Sequence, residues 1–242
     1  MKLSPRLQTI IDLVEQDYQH IWDTCCDHGL LGQALLADTS KESQSSKETD
    51  NRPVIHFVDV VPELMTQLET RLSDEANEFK KYWQIHCQSA AQLNLLEFPK
   101  ECRHLIIIAG VGGDLMIEII QGLLNSIRET KHSECLGNIT FLLCPVYHHY
   151  RVRTFLAEQG LGLETETLVE DKGRIYEIFR VSFSATHPLS STGDQMWDFS
   201  EPTHRRYLEQ TIKHYRQVVR RHPEAQQIIE AYLSIAPSSI NL

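Results

Sequence analysis

The chain alternates short apolar runs with amphipathic helical patterns, and this alternation limits its fold more than any other feature. Continuous apolar runs between turn residues are typical of strands buried on both faces of a parallel sheet. The runs cover residues 20–22, 54–58, 82–87, 104–109 and 139–144. Strands that alternate with helices favour a doubly wound α/β fold with right-handed crossovers.

This alternation ends near residue 160. Two segments of period 2, LETETLVE and RIYEIFRVSF, are separated only by Asp171, Lys172 and Gly173. Such a pattern predicts an antiparallel hairpin that closes the sheet. An apolar stripe then predicts two helices at 201–221 and 224–233, broken at Pro223. We therefore predict an α/β domain at 1–184 and a C-terminal helical hairpin at 196–235.

Two polar stretches do not fit either pattern. Residues 39–53 are polar and low in sequence complexity, which predicts a mobile insertion after the first α/β helix. Residues 185–195 contain serine, threonine, proline and glycine, and predict a linker before the C-terminal helices.

The charge is unevenly distributed. The formal net charge is −10, which by itself argues against a nucleic-acid partner. Residues 204–222, however, carry six lysines and arginines against one acid, a segment charge of +5 that leaves −15 for the remainder. This basic segment can form an RNA-binding stripe or a solvated helix face. The six cysteines lack CxxC spacing, and no signal peptide or membrane-spanning run is evident, so we expect a cytoplasmic protein with reduced thiols.

The stretch WDTCCDHGLLG, residues 22–32, concentrates metal-binding and redox-capable side chains. A zinc site is disfavoured because successive side chains in an extended segment point to opposite sides. A redox pair is disfavoured because vicinal cysteines close a strained ring. A nucleotide-binding turn fits better, since the stretch follows a strand and precedes a helix, where doubly wound sheets bind ligands. We therefore predict no metal.

The acids in this turn favour a particular ligand. A dinucleotide turn needs G-x-G-x-x-G, whereas only Gly29 and Gly32 are present and acids stand where a phosphate would lie. An acidic turn suits a ligand with an ammonium group and no phosphate, as in the amino-acid end of S-adenosylmethionine. Asp59, at the end of the second strand, is placed to accept ribose hydroxyls. It could instead cap the following helix.

Seven segments together resemble a known family. LSPRLQTIIDLV, DTCCDHGLLGQALL, FVDVVPE, IIIAGVGGDLM, LLCP, RVRTFL and EDKGRIYEIFRV occur in the order and spacing of the bacterial tRNA (adenine 22-N1)-methyltransferases. The resemblance implies a Rossmann-like class I methyltransferase fold, with a mostly parallel seven-stranded sheet, a terminal antiparallel hairpin and a small helical appendage. It also implies S-adenosylmethionine as cofactor and tRNA as substrate.

The resemblance also implies site residues. Asp27 is expected to be catalytic, by stabilising the cationic product or accepting its proton, or else to be purely a cofactor ligand. The expected cofactor-binding residues are Asp23, Cys25, Asp27, His28, Asp59, Val60, Gln88, Ser89 and Gly110. The expected substrate-binding residues are Arg6, Gly112, Gly113, Pro145, His148, Arg153, Arg206, Lys213 and Arg220.

Two motifs depart from the family pattern. Cys25 stands where the family has glycine, and Cys144-Pro145-Val146 stands where it has glutamine-proline-asparagine. A cysteine could crowd the cofactor, and valine cannot hydrogen-bond a base edge. These departures leave open an RNA-binding protein with an altered target or without catalysis. A nicotinamide-dependent oxidoreductase is a further alternative, because it would share the fold and Asp59.

Overall fold

The structure, a computed structural model, describes residues 3–15, 17–42, 52–75, 77–130 and 133–237. Within these residues one sheet has eight strands in the order β3-β2-β1-β4-β5-β7-β6-β8. The strands are β1 (His20–Thr24), β2 (Val54–Asp59), β3 (Trp83–Cys87), β4 (His104–Ala109), β5 (Ile139–Cys144), β6 (Gly162–Asp171), β7 (Arg174–Ser182) and β8 (His187–Pro188). The sheet is parallel from β3 to β5, and β7, β6 and β8 are antiparallel to their neighbours.

The predicted fold class is confirmed, with one correction to the strand count. The expected seven strands are present, and the segment predicted to be a linker adds the two-residue edge strand β8. Lys172 and Gly173 connect β6 to β7 with φ angles of 50° and 78°. Two successive residues with positive φ form the turn type that matches the twist of a hairpin.

The helices lie between and after the strands. They are α1 (Pro5–Asp12), α2 (Leu30–Glu42), α3 (Pro62–Glu75), α4 (Gly113–Arg128), α5 (His149–Glu158), α6 (Pro202–Val218) and α7 (Gln226–Ile235). The start of the expected insertion at 39–53 is therefore helical, because α2 continues through Glu42, and residues 43–51 lie outside the described residues. None of the described helices combines the length and the apolar character that crossing a bilayer requires.

Strand β4 shows why the apolar runs are continuous. Leu105 and Ile107 belong to one core cluster, with α2 and α3, whereas Ile106 and Ile108 belong to the other, with α4. All four side chains are at most 1% exposed. Alternate residues of the strand are thus buried on opposite faces, as expected for the centre of a doubly wound sheet.

The C-terminal helices have a small core of their own. Leu208 and Ile212 of α6 pack with Ile229 and Tyr232 of α7. Tyr207, on another side of α6, packs with residues of β6 and the segment that follows β8. The helix pair therefore lies against the antiparallel end of the sheet.

Candidate functional site

The candidate site lies at the carboxyl edge of the parallel strands. After β1, the chain forms β2 and β3 on one side of β1 and then crosses to form β4 on its other side. The strand order therefore reverses next to β1, which is where open α/β sheets form a ligand-binding crevice. The ends of β1, β2, β4 and β5 contribute the loops that surround this crevice.

Exposed apolar side chains collect around this edge. Among the described residues, six large hydrophobic side chains are exposed, and five of them follow the carboxyl ends of β1, β2, β4 or β5. These five are Leu30, Val60, Val61, Leu115 and Tyr147. Exposed apolar surface concentrated in one place marks a binding site more often than isolated exposed residues do.

The turn after β1 has an irregular backbone. Cys25, Asp27 and Gly29 have φ angles of 53°, 51° and 67°. The Cys26 amide donates to the Val58 carbonyl, with N and O 3.1 Å apart, and the Gly29 amide donates to the Cys26 carbonyl at 2.7 Å. A left-handed conformation costs a residue with a side chain about 1–2 kcal/mol, so this turn is held in a strained shape next to the crevice.

Asp59 connects the first two strand ends. Its Oδ2 accepts a hydrogen bond from the Asp27 amide at 3.0 Å, and its Oδ1 accepts one from the Val61 amide at 3.1 Å. A carboxylate has about four acceptor positions, so both oxygens can accept further bonds. The alternative role of Asp59 as a cap is therefore compatible with hydroxyl recognition, and one carboxylate can serve both.

Asp23 is buried behind the turn. Its side chain accepts a hydrogen bond from the Gly32 amide at 2.8 Å, near the start of α2. Burial, with a smaller contribution from the Asp59 charge, raises the pKa of Asp23 to about 7 even though the Gly32 hydrogen bond opposes the rise. The residue is only 4% exposed. Asp23 thus shapes the turn, whereas the side chains of Asp27 and His28 are 70% and 58% exposed.

The two cysteines of the turn do not behave as reactive groups. Cys25 packs against the core cluster on the α4 face of the sheet, and Cys26 belongs to the cluster on the opposite face. Burial, together with the charges of Asp59 and Asp23, raises the pKa of Cys25 to about 11, and burial also raises the pKa of Cys26. Both thiols are therefore protonated at neutral pH. No three metal-binding side chains converge within the described ranges.

Gly110, after β4, has a φ angle of 81°, which favours glycine. A Cβ placed there would have the Arg6 Nη1 atom as its nearest contact, at 4.0 Å. The Arg6 guanidinium lies 4.9 Å from the centre of the Tyr176 ring, and its buried Nε has no hydrogen-bond partner. The structure thus places Arg6 of α1 beside the end of β4.

Gly112 and Gly113 make space for the loop after β5. A Cβ on Gly112 would lie 2.2 Å from the Tyr147 ring, and one on Gly113 would lie 2.8 Å from the Tyr147 carbonyl oxygen. The family resemblance implies that both glycines bind substrate. In the structure the space above Gly112 is filled by Tyr147, a residue that the sequence did not single out.

Other predicted residues lie around the same edge. Ser89 caps a short 3-10 helix through the Ala91 amide, and Gln88 is exposed beside it. Pro145 is buried, and its carbonyl oxygen lies 3.1 Å from His149 Nε2. His148 Nδ1 is 3.0 Å from Asp114 Oδ2, which places His148 at the mouth of the crevice.

The prediction that Arg153 contacts substrate is wrong. Its side chain is fully buried and pairs with Glu166 and Glu177, with both nitrogen to oxygen distances at 2.7 Å. Neighbouring arginines in the RVRTFL motif have opposite environments, since Arg151 is 69% exposed. The sequence pattern around α5 could not reveal which of the two arginines faces the protein interior.

The predicted basic stripe is only partly available to a ligand. Arg206 forms an ion pair with Glu170 of β6 at 2.5 Å. Lys213 and Arg220 are exposed, and Arg220 lies beyond the end of α6 at Val218 rather than within a helix. Of Arg206, Lys213 and Arg220, which recur every seven residues, only the first two therefore lie on α6.

The sheet order, the terminal hairpin and the acidic turn define a Rossmann-like class I methyltransferase. The comparisons with known proteins agree with this class. A family model described as a methyltransferase domain matches residues 3–179. The chain belongs to this methyltransferase family, and the nicotinamide-dependent oxidoreductase alternative is therefore wrong.

Individual relatives are similar to the chain over most of its length. A curated Mycoplasma pneumoniae protein named as a candidate tRNA methyltransferase is 26% identical over 192 residues, covering 79% of this chain and 76% of that protein. The B. subtilis m1A22 tRNA methyltransferase TrmK has a TM-score of 0.67 at 17% identity, covering 97% of this chain and 98% of that one. A candidate tRNA (m1A22) methyltransferase of Streptococcus pneumoniae, in complex with S-adenosyl-L-methionine, has a TM-score of 0.69 at 19% identity, covering 97% and 99%. At these identities the structural likeness establishes the fold.

Proposed function

We propose that this protein transfers a methyl group from S-adenosylmethionine to N1 of an adenine in tRNA. The observation that carries the proposal is the coupling of Asp59 to the turn that contains Asp27, at the switch point of a methyltransferase sheet. The names of the relatives support the substrate class, since the M. pneumoniae and B. subtilis proteins are both named for tRNA methylation.

The residues at the carboxyl edge fit S-adenosylmethionine. Asp59 retains acceptor positions for ribose hydroxyls, and Val60 beside it is 63% exposed and can cover an adenine face. The exposed Asp27 carboxylate suits the ammonium end of the cofactor. The Cys25 side chain packs against the core, so it occupies little of the space that a glycine would leave open.

The bound cofactor supplies a methyl group on a positively charged sulfur. The in-plane lone pair of adenine N1 forms the new bond to carbon as the bond from carbon to sulfur breaks, and that electron pair goes to sulfur. The methylated adenine is a cation until its exocyclic amine loses a proton. The protein mainly aligns the reacting atoms, which can contribute about 7–11 kcal/mol.

Asp27 is the candidate residue for stabilising the positive charge of the methylated adenine. Its side chain is 70% exposed at the crevice, and its own amide is held by Asp59, so the orientation of the turn depends on that bond. We assign Asp27 to stabilising the methylated adenine or accepting its proton. If Asp27 is only a cofactor ligand, Asp27→Asn should weaken cofactor binding and leave the transfer rate at saturation unchanged.

The test begins with calorimetry of S-adenosylmethionine and NADH binding to the wild-type protein, Asp59→Asn and Asp74→Asn. Asp74 is an exposed acid on α3 and serves as the matched control. We expect the wild-type protein and Asp74→Asn to bind only S-adenosylmethionine. Asp59→Asn should bind at least about 10-fold more weakly, since it loses charge-assisted bonds.

Transfer of labelled methyl groups to unmodified tRNA transcripts, followed by mapping of the modified base, then tests the reaction. We expect 1-methyladenine in transcripts that carry adenine at position 22. Cofactor binding without methyl transfer to any tRNA would contradict the proposed substrate and favour an RNA-binding protein that has lost catalysis.

A further inference from the structure

Tyr147 is the most exposed aromatic residue that the structure places at the carboxyl edge. It follows β5, its side chain is 52% exposed, and it lies against the loop that follows β4. Neither the acidic turn nor the packing of the core requires an aromatic residue at this position. Tyr147 belongs to the group of exposed apolar side chains at this edge, and such groups mark binding sites more often than scattered exposed residues do.

The ring rests on Gly112. The nearest atoms to a Cβ built on Gly112 are the Cζ, hydroxyl oxygen and Cε2 of Tyr147, at 2.2, 2.2 and 2.6 Å. Real Cβ atoms do not approach other atoms so closely, and Gly112 has an ordinary φ of −72°. A side chain at position 112 would therefore displace the Tyr147 ring, whereas the backbone conformation itself would accept one.

Two backbone hydrogen bonds fix the loop that carries the ring. The Val146 amide donates to the Val111 carbonyl at 2.9 Å, and the Gly113 amide donates to the Tyr147 carbonyl at 3.1 Å. The His148 ring meets the Tyr147 ring edge to face, with their centres 4.7 Å apart. Tyr147 is thus supported from the β4 loop and from its own neighbour, while half of its surface is open.

We infer that Tyr147 is a base-stacking platform that holds the target adenine at the reacting edge. This inference rests on the proposed function, because it names the residue that positions the adenine for methylation. Enzymes that modify a base move it out of its stack and hold it against aromatic or apolar side chains. Val146, the preceding residue, cannot hydrogen-bond a base edge as the asparagine of the family pattern could. Stacking on Tyr147 would therefore hold the base where that hydrogen bond is missing.

The first test compares Tyr147→Phe with Tyr147→Leu. Phenylalanine keeps the ring, so its kcat/KM for tRNA transcripts should stay within about 3-fold of wild type. Leucine keeps apolar volume without a ring, so kcat/KM should fall roughly 10- to 100-fold, as for loss of base stacking. S-adenosylmethionine affinity and the unfolding temperature should be unchanged in both, since the side chain is half exposed.

A second test uses Gly112. Gly112→Ala should displace the ring and reduce kcat/KM to a similar extent, whereas Gly137→Ala should not, because a Cβ on Gly137 meets no atom within 4 Å. In the Tyr147→Leu background, Gly112→Ala should cause little additional loss. A full additional loss would show that Gly112 acts on the substrate directly, and would overturn its role as the seat of Tyr147.

Fluorescence separates stacking from a purely structural role. A tRNA transcript with 2-aminopurine at position 22 should be more strongly quenched by wild type and Tyr147→Phe than by Tyr147→Leu. Equal quenching and equal kcat/KM in an active wild type and Tyr147→Leu would overturn the inference alone. A wild-type protein that binds cofactor but methylates no tRNA would overturn the proposed function, and the inference with it.

Discussion

Arg153 Nε donates to Glu177 Oε2 at 2.7 Å in a fully buried ion pair between α5 and β7. Glu166 of β6 also pairs with this guanidinium, and the Tyr207 hydroxyl donates to the other oxygen of Glu177 at 2.6 Å. Glu166 Oε1 in turn accepts hydrogen bonds from three consecutive amides, those of residues 194–196. The pair therefore joins α5, the terminal hairpin and α6.

Breaking this pair should strongly destabilise the protein. Arg153→Met leaves two buried carboxylates without their cation, and we expect a loss of about 3–5 kcal/mol in the free energy of unfolding. Urea denaturation at neutral pH measures this loss. Arg151→Met is the matched control on the same helix, because its ion pair with Asp114 is exposed. A loss below about 1 kcal/mol for Arg153→Met would mean that the carboxylates find other partners.

The strands of the parallel sheet, the terminal hairpin and the location of the site were predictable, because they depend on local patterns. Period, strand length and turn residues along the chain predicted the parallel sheet and the hairpin, and the acids that end β1 and β2 identified the ligand-binding edge. The environment of Arg153 depends on Glu166 and Glu177, which lie on the later hairpin. Such a pairing between distant segments leaves no local pattern in the sequence.

A row of hydrogen-bonded histidines was also not predicted. His20 Nδ1 lies 3.0 Å from His56 Nε2, and His56 Nδ1 lies 2.9 Å from His86 Nε2. Each residue appeared in the sequence as one polar member of an apolar strand. Only the parallel register of β1, β2 and β3 aligns the three rings on one face, and Trp22 stacks on His56 there with ring centres 3.8 Å apart.

The positive φ of Cys25 should decide which substitutions there destabilise the protein. Its φ of 53° favours glycine and disfavours β-branched residues, so Cys25→Val should cost about 1–2 kcal/mol more than Cys25→Gly in the free energy of unfolding. Cys26, whose φ is not positive, is the control, and valine should be tolerated better than glycine there. Chemical denaturation of the four variants gives both rankings. The same ranking at both positions would contradict the argument from φ.

The exposed cations near the C-terminus should bind RNA phosphates. Lys213 and Arg220 are exposed, so replacing both with Glu should weaken tRNA binding. The slope of log affinity against log salt concentration should become shallower by about 0.7–0.9 for each phosphate that is no longer neutralised. Arg206→Glu should have a smaller direct effect, because Arg206 already pairs with Glu170. Filter binding from low to moderate salt tests both variants. An unchanged salt slope for the double variant would mean that Lys213 and Arg220 contact only solvent and not RNA phosphates.

Asp23→Asn should make stability less dependent on pH. Burial raises the pKa of Asp23 from 3.8 to about 7, so between these values the unfolded chain releases a proton that the folded protein keeps. Stability contributed by this group is therefore present at low pH and is lost as pH rises toward 7, at about 1.4 kcal/mol per pH unit. Asparagine can still accept the Gly32 amide. We expect its advantage over wild type to grow from pH 4 to pH 7 in urea titrations.

His104→Gln should have the opposite effect. Burial and the neighbouring His20 lower the pKa of His104 from 6.5 to about 4, so the unfolded chain binds a proton that the folded protein excludes. This stability is present above pH 6.5 and is lost as pH falls toward 4, again at about 1.4 kcal/mol per unit. Glutamine can accept the Trp22 indole N–H, which now donates to His104 Nδ1 at 3.2 Å, and it does not titrate.

The two residues can be tested together, because their contributions to the pH dependence have opposite signs over nearly the same range. Between about pH 4.5 and 6, this pair of residues should change the stability of the wild-type protein little. On acidification, Asp23→Asn should lose stability relative to wild type, and His104→Gln should gain stability relative to wild type. The double variant should return to the wild-type slope, because each change removes one of two offsetting proton equilibria. Parallel slopes for all four proteins would show that neither group keeps a shifted pKa in the folded protein.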